Sequence, residues 1–381
     1  MTKIIAYYLP QFHPIPENDK AWGKNFTEWD NVRNAIPLFK GHRQPRIPAD
    51  LGYYDLRNND IKQQQIQLAK QAGIYGFCYW HYWFNGKQVL QTPFSQVLAD
   101  SQLDFPFCLC WANHSWKTTT WSKATRHNDK YIIKQTYGRE DDYRQHFETL
   151  LPAFCDPRYI QIDGKPLFGI FDPYAIPNIK QMITSWQQWA KENGLNGIYF
   201  YSLANNTSTI QRDQNGNIKR IIPDLKHSDK VYNKLLNLGF DAVQSLGMAR
   251  GEMLAYGKVR TIVKKYLHQH FRCSQPLCFD YQTVVQNMFA PEDRWENIFP
   301  SIIPDWDRTP RAGKKAIVYT GSTPEKFEQH IKQAIQIIKD KQPQHRILFL
   351  RAWNEWAEGC YVEPDNYYKH QYLDAIHNAL Q

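Results

Sequence analysis

The sequence predicts an α/β protein, a single (β/α)8 barrel of the TIM type with loop insertions. Short apolar runs alternate with helical patterns along the whole chain, which is typical of a parallel sheet whose strands are joined by helices. About eight such units fit into the 381 residues, and this number favours a closed barrel over an open sheet. No G-x-G-x-x-G motif follows the first strand, so the main signal of a dinucleotide-binding fold is missing.

The strands are predicted from short apolar and aromatic runs, and the helices from apolar positions three and four residues apart. The predicted strands cover 4–8, 75–80, 107–111, a hairpin within 159–171 that breaks at Asp163-Gly164, 197–202, 242–245, 298–303 and 347–353. The first predicted helix begins at Asn59 and ends at Gly73, which is a typical helix-terminating residue. The other predicted helices cover 94–101, 140–151, 179–192, 324–341 and 368–380.

Residues 1–381 are predicted to form one domain, because the chain has no Pro- or Ser-rich linker and no tandem repeat. Three stretches, 11–56, 113–138 and 247–296, are interpreted as insertions into the barrel. The last of them contains a basic segment, KVRTIVKK at 258–265. Its charges are interpreted as a solvated helix face rather than as a phosphate-binding track.

Composition and charge exclude several classes of protein. With 42% hydrophobic and 22% charged residues the chain is not a disordered polymer, and its longest apolar runs are too short to span a membrane. No export signal is visible at the start, so we expect a cytoplasmic protein. The net charge of +9 suits an anionic partner, but the basic residues are scattered and form no nucleic-acid-binding motif. Peripheral membrane contact through the basic surface stays open.

The seven cysteines are few for this length and include no C-x-x-C pair. Reduced thiols are therefore expected in place of a disulfide framework or a zinc site. Cys78 and Cys108 fall on predicted strands, and no G-x-S-x-G motif is present, so catalysis by a nucleophilic Ser or Cys is not expected. We expect no cofactor.

Aromatic residues make up 15% of the chain and cluster in two strings, CYWHYWF at 78–84 and WNEW at 353–356. Core packing explains aromatic residues in most proteins. These strings, however, lie at predicted strand ends, where a barrel places its functional residues. Flat rings with polar neighbours suit a pocket for sugar rings, so we predict an oligosaccharide substrate.

The predicted substrate-binding residues follow the strands or lie in the first insertion. They are Tyr8, His13, Glu28, Trp80, His81, Tyr82, Trp111, Asn113, Asp305, Trp306, Trp353, Asn354 and Trp356. Ser202, Asn205 and Gln244 also stand at strand ends. His13, His81 and His114 lie on different strands without metal-ligand spacing, so hydrogen bonding is favoured over a metal site. Asp305 and Asp307 either bind substrate, point to solvent or pair with Arg308 and Arg311.

Glu355 and Glu358 are the predicted catalytic residues. They lie three positions apart in a segment that Gly359 ends, so one helical turn would place both side chains on one face. Glycosidic bond cleavage requires a proton donor and a second carboxylate, and this pair supplies both. Between two tryptophans, one carboxyl should be desolvated and repelled by the other, which raises its pKa. The structural alternative is that Glu358 caps backbone amides and Glu355 pairs with Arg351.

Five segments of the chain carry a resemblance to a known family: IAYYLPQFHP at 5–14, GKNFTEWD at 23–30, GFCYWHYW at 76–83, WNEWAEG at 353–359 and EPD at 363–365. They resemble segments of the WbsX-type proteins, a group that accompanies bacterial O-antigen and other surface-polysaccharide genes and is related to glycoside hydrolase family 99, the endo-α-mannosidases. The resemblance extends from residue 4 to the end of the eighth strand. It implies a metal-independent (β/α)8 barrel that acts on α-mannosides with retention.

The resemblance also implies roles for the two glutamates. Glu355 corresponds to the carboxylate that deprotonates the sugar 2-hydroxyl, so that the ring's own oxygen attacks C1. Glu358 corresponds to the general acid and then base. Ala357 stands where the mannosidases usually carry His.

Three functions follow as hypotheses. The first is a retaining glycoside hydrolase or transglycosylase that acts on α-linked, mannose-like saccharides in bacterial surface polysaccharide metabolism. The second is a glycosyltransferase of O-antigen or lipopolysaccharide biosynthesis that uses an activated sugar donor, although no D-x-D motif on a Rossmann-like half is visible. The third is a glycan-binding barrel without catalysis.

Overall fold

The computed structural model describes residues 1–118, 130–204, 208–212, 218–271 and 274–381. Asn205, Cys273 and part of the predicted insertion 113–138 lie outside these ranges. The described strands are β1 (Lys3–Tyr8), β2 (Gly76–Phe84), β3 (Lys87–Val89), β4 (Phe107–Trp111), β5 (Trp116–Lys117), β6 (Tyr131–Ile133), β7 (Gln161–Ile162), β8 (Lys165–Ile170), β9 (Tyr199–Ala204), β10 (Ser208–Arg212), β11 (Ile218–Pro223), β12 (Ala242–Ser245), β13 (Leu277–Asp280), β14 (Ile298–Ile302), β15 (Ile317–Thr320), β16 (Ile347–Leu350), β17 (Asn354–Glu355) and β18 (Cys360–Tyr361).

Most of the predicted helices lie between these strands. The described α-helices are α1 (Pro16–Trp22), α2 (Glu28–Arg33), α3 (Asn59–Ala72), α4 (Thr92–Ala99), α5 (Glu140–Phe154), α6 (Ile179–Glu192), α7 (Ser228–Leu236), α8 (Met248–Tyr256), α9 (Lys258–His270), α10 (Tyr281–Val285), α11 (Thr309–Ala312), α12 (Pro324–Ile338) and α13 (Gln371–Leu380). Helix α3 ends at Gly73, which adopts a left-handed conformation with φ +81°. This is the helix end that the sequence predicts.

Eight parallel strands close into a barrel, which confirms the predicted fold class. The strand order is β1, β16, β14, β12, β9, β8, β4, β2, and β2 pairs again with β1. The carboxyl ends of these strands gather at one mouth, where barrel enzymes place their functional groups. The strands are buried, and apolar side chains pack between the barrel and its helices, whereas the barrel interior also holds hydrogen-bonded polar groups such as Tyr7 and Gln244.

The structure corrects the bounds of two strands next to the site. Strand β2 continues to Phe84 because it forms a hairpin with β3, and it does not end at residue 80. Strand β16 ends at Leu350, and the predicted extension to residue 353 is replaced by the separate hairpin of β17 and β18. The insertion after β12 holds α8, α9, α10 and β13, and β13 pairs in parallel with β15, which follows β14 in the chain. The sequence does not predict this small sheet.

The described cysteines form no disulfide. Cys78, Cys108, Cys110 and Cys360 are buried, whereas Cys155 and Cys278 are exposed. In the described part of the chain, no helix is both long and apolar enough to cross a membrane.

Candidate active site

Glu355 and Glu358 flank one tight turn beyond the last barrel strand, with Glu355 just before it and Glu358 as its last residue. The turn spans Trp356–Glu358 and connects β17 with β18. It closes at Gly359, whose φ is +61° and where an added Cβ would lie 2.7 Å from the Cβ of Asp307. A residue with a side chain is therefore both strained and crowded at this position. The turn is a short 3₁₀ segment, and it brings the two glutamates to one place, as their spacing predicts.

One guanidinium group joins the two carboxylates to a third. Arg311, on α11, has Nη2 3.0 Å from Oε2 of Glu355 and Nη1 2.7 Å from Oε1 of Glu358. Its Nε donates to Oε2 of Glu28 over 2.7 Å. All four side chains are buried, so these contacts form a network of charged groups in a region of low dielectric constant. Arg311 thus binds the three glutamates, whereas Arg46 forms ion pairs with Asp305 and Asp307.

Glu358 is surrounded by guanidinium groups. Its carboxylate lies within 3.1 Å of Arg308, 2.7 Å of Arg311 and 3.6 Å of Arg351. Although burial acts in the opposite direction, these positive charges lower the pKa of Glu358 to about 2. Glu358 is therefore ionised at neutral pH.

Glu355 has the opposite electrostatic environment. Burial raises the pKa of Glu355 to about 7, with Arg311 acting against the rise and the neighbouring Glu358 and Glu28 adding to it. The sequence predicts a raised pKa for one carboxyl of the pair, and the structure gives this property to Glu355. Arg351 is the alternative partner of Glu355 that the sequence offers. In the structure, the guanidinium of Arg351 forms an ion pair with Glu358.

Four of the predicted substrate-binding residues lie near this pair or at the barrel mouth. Glu28 shares Arg311 with the pair, and Tyr82 lies close enough to Glu355 for the carboxylate to raise the tyrosine's pKa further beyond the effect of burial. The ring of Trp306 packs against the guanidinium of Arg351 at 4.7 Å. Trp80 is partly exposed and stacks on Tyr7 at 4.4 Å inside the barrel.

Tyr8, His81 and Trp111 point away from the barrel interior. Tyr8 donates to Gln65 on α3, and His81 and Trp111 both contact His146 on α5. Successive side chains of a strand face opposite sides, so the inward orientation of Trp80 places its neighbour His81 on the helical side. Burial lowers the pKa of His81 to about 3, which keeps it neutral. These three residues pack the barrel against its helices.

His13 and Asn113 hold loops together. The Nδ1 of His13 contacts the carbonyl of Pro10, and the nearby charges that act on this histidine belong to Asp55, Arg57 and Lys62. Asn113 accepts from the backbone N–H of Asp172 and donates to its carbonyl, which joins the loops after β4 and β8. These contacts of His13 and Asn113 do not involve Glu355 or Glu358.

The two tryptophans of the WNEW segment bind a buried carboxylate, Glu363. Trp353 and Trp356 donate from their indole N–H groups to Glu363 over 2.9 and 2.6 Å, and Gln65 and Tyr54 donate to it as well. Asn354 accepts from the backbone N–H of Leu9 and donates to its carbonyl, which ties the segment to the end of β1. The tryptophans that the sequence predicts to bind sugar therefore position the turn that joins Glu355 and Glu358.

Replacing Glu363 with Gln should destabilise the fold by about 1–3 kcal/mol. The carboxylate accepts four hydrogen bonds, whereas an amide would direct its own N–H group at one of the four donors. Urea unfolding compares the variant with Glu328→Gln, whose side chain forms only an exposed ion pair on α12. Equal unfolding free energies for the two variants would contradict this account of Glu363.

Asp305 and Asp307 are held by the first insertion. Arg46 lies 2.8 Å from Asp305, and His42 and Gln44 contact Asp307 over 2.8 and 2.7 Å. Of the three alternatives that the sequence leaves open, solvent exposure is therefore wrong, because both carboxylates are buried. Both also line a cavity of about 710 Å³ beside the mouth.

The sequence does not predict the positions of Arg311 and Glu363 in this site. It offers Arg311 only as an alternative partner of the aspartates, and Glu363 only as part of a family motif. Within the described residues, no group of three or more His, Cys, Asp or Glu side chains is arranged to hold a metal ion.

A family model described as "Glycosyltransferase WbsX" matches residues 4–376. The chain belongs to the WbsX family. It is 33% identical over 378 residues to the WxcX proteins of two strains of Xanthomonas campestris pv. campestris, B100 and ATCC 33913. The alignment covers 99% of this chain and 49% of each relative, so this WbsX-family chain spans about half the length of the curated relatives it matches.

Solved structures resemble this WbsX-family chain in fold. The GH99 endo-α-mannosidase from Bacteroides thetaiotaomicron, in complex with BIS-TRIS-propane, aligns with a TM-score of 0.56 and 15% identity, covering 99% of this chain and 96% of that one. A glycoside hydrolase-like protein aligns with a TM-score of 0.59 and 13% identity, covering 100% and 94%. At these identities the similarity establishes the (β/α)8 barrel.

Proposed function

We propose that this WbsX-family chain is a glycan-active enzyme that cleaves or transfers an α-linked, mannose-like glycosyl group with retention, in bacterial surface polysaccharide metabolism. The observation that carries the proposal is the split environment of Glu355 and Glu358. The two carboxyl groups bind one guanidinium, yet burial raises the pKa of Glu355, whereas the surrounding arginines lower the pKa of Glu358 against the effect of burial. Such a split is how a site assigns one carboxyl to proton exchange and keeps the other ionised.

Glu355 is the proton-exchanging group in this proposal. A general acid–base residue works best with a pKa near the working pH, and Glu355 meets that condition in the free protein. Glu358, held ionised by its arginines, is the nucleophile: it bonds to the sugar C1 while Glu355 gives its proton to the departing oxygen. Water or an acceptor hydroxyl then displaces Glu358 from C1 and returns a proton to Glu355, so the configuration at C1 is retained. This order differs from the one that the resemblance implies, in which Glu358 is the acid.

The direct test of the proposed reaction is product stereochemistry. Purified protein is incubated with α-mannosides and with bacterial surface polysaccharide repeats, and the anomeric configuration of the first product is read by NMR. Retention is the expected result. Inversion, or saccharide binding without any bond cleavage, would contradict the proposal.

A second candidate is glycosyl transfer from an activated, anionic donor. The side chains of Arg308 and Arg351 are 41% and 31% exposed, so both can meet a phosphate leaving group beside Glu358. Calorimetry with nucleoside diphosphate sugars distinguishes this candidate: micromolar binding that is lost in Arg308→Gln favours the transferase.

The raised pKa of Glu355 can be measured without a substrate. In the folded protein labelled with ¹³C at the Glu side-chain carboxyl, two carboxyl groups should titrate near pH 7, because burial raises the pKa of both Glu355 and Glu363 to about 7. Each signal should disappear in its own Gln variant. The folded chain holds these protons more tightly than the unfolded chain, so both groups lower stability as the pH rises from about 4.5 to 7. Absence of any Glu titration above pH 6 would contradict this assignment.

A further inference from the structure

Helix α9 presents an apolar stripe to solvent. Val259, Ile262, Val263, Tyr266 and Leu267 are 73%, 39%, 48%, 59% and 47% exposed. Their spacing of three and four residues places them on one helix face. The opposite face holds Thr261, which is buried and whose hydroxyl donates to the carbonyl of Glu252. The helix therefore contacts the protein through its polar side.

This orientation is the reverse of that of an ordinary surface helix, which buries its apolar face. Among the described residues, fourteen large hydrophobic side chains are exposed, and seven of these lie between residues 254 and 271. Scattered exposed apolar residues are normal, whereas such a concentration marks an interaction surface.

The charges of the helix define what this surface can contact. Residues 258–270 contain four Lys or Arg and no acidic residue. At 100° per residue, Arg260 and Lys264 flank one edge of the apolar stripe and Lys258 flanks the other. Lys265 faces the protein and pairs with Glu252. A basic helix with an exposed apolar stripe is the pattern of a helix that lies in the interface of a membrane.

We infer that α9 docks this chain on the surface of an anionic lipid bilayer. The helix, with 13 residues, is about 20 Å long, so it can lie in the plane of the interface but cannot span the membrane. Anionic headgroups complement the basic flanks, and the acyl boundary receives the apolar stripe. A second copy of the chain is a poorer occupant, because two such helices face to face would bring their basic flanks together.

The inner side of the helix borders the candidate active site. Lys265 and His268 line a cavity of about 270 Å³ together with Trp306 and Arg308, and Arg308 forms the ion pair with Glu358. A docked helix would therefore hold this cavity next to the bilayer. The site would then face saccharides carried at a membrane surface, a consequence that rests on the proposed function.

Vesicle flotation tests the docking. The full chain is mixed with vesicles of phosphatidylcholine alone or of equal parts phosphatidylcholine and phosphatidylglycerol, and the bound fraction is measured. We expect binding to the anionic vesicles. The double variant Val263→Ser/Leu267→Ser should lower the partition coefficient at least about tenfold, and Arg260→Gln/Lys264→Gln about fivefold per charge removed.

The matched control is Ile36→Ser/Ile47→Ser, which removes two exposed apolar side chains elsewhere and should bind as the unchanged chain does. The inference is overturned if the unchanged chain does not bind anionic vesicles, or if the Val263→Ser/Leu267→Ser variant binds equally well. A dimer in sedimentation that this variant dissociates, without vesicle binding, overturns it as well. Vesicle binding is read without any glycan, so it can fail independently of the proposed function.

Discussion

Replacing either Glu355 or Glu358 with Gln is expected to lower turnover of a saccharide substrate by about 10²- to 10⁴-fold, the range for loss of a general acid–base group. Glutamine keeps the size of the side chain but can neither exchange a proton nor carry charge. Because both carboxylates bind Arg311, each variant also alters the pKa of the remaining carboxyl. The measurement is kcat/KM for the two variants, with Glu328→Gln as the surface control.

The two variants should differ in their dependence on the leaving group. A nitrophenolate departs without a proton, so a general-acid variant recovers activity on a nitrophenyl glycoside and the other variant does not. We expect the recovery in Glu355→Gln, since its carboxyl keeps the proton near neutral pH. Recovery in Glu358→Gln instead would favour the order that the resemblance implies. Unchanged turnover in both variants would contradict catalysis by this pair.

The barrel could be predicted because its eight strands are short apolar runs separated by helical patterns, and each predicted run forms a strand in the structure. The sequence could not predict which side chains of a strand face the barrel interior and which face the helices. Tyr7 and Tyr8 are adjacent and chemically alike, yet Tyr7 reaches Gln244 inside the barrel and Tyr8 reaches Gln65 outside it. The strand register decides this difference, and a one-residue change in register would exchange the two faces.

The juxtaposition of Glu355 and Glu358 could be predicted because the two residues are close in sequence. Their partner could not, since Arg311 lies 44 positions before Glu355 and 283 positions after Glu28. Such a contact exists only once the barrel closes and brings the loops after the first, seventh and eighth barrel strands together. The apolar stripe of α9 is different: it is visible in the sequence, but a sequence pattern alone does not say that the stripe faces outward.

Replacing Arg311 with Met is expected to destabilise the fold by about 3–5 kcal/mol. The substitution keeps an unbranched apolar stem but leaves three buried carboxylates without their shared guanidinium. Glu358 retains Arg308 and Arg351, whereas Glu28 keeps only the side-chain amide of Asn31. The loss should therefore fall mainly on Glu28 and Glu355. The measurement is the free energy of unfolding in urea.

The pH dependence separates this electrostatic cause from lost packing. Without the guanidinium the pKa values of Glu28 and Glu355 rise further, so at low pH the two groups take up protons and their burial becomes less unfavourable. Arg311→Met should consequently be closer to the unchanged chain at pH 5 than at pH 8. Arg308→Met is the matched control: its side chain is 41% exposed, so about 1 kcal/mol or less is expected at either pH. If Arg311→Met lowers the free energy of unfolding equally at both pH values, the arginine stabilises the fold by packing. The charge network would then not be what holds the three glutamates together.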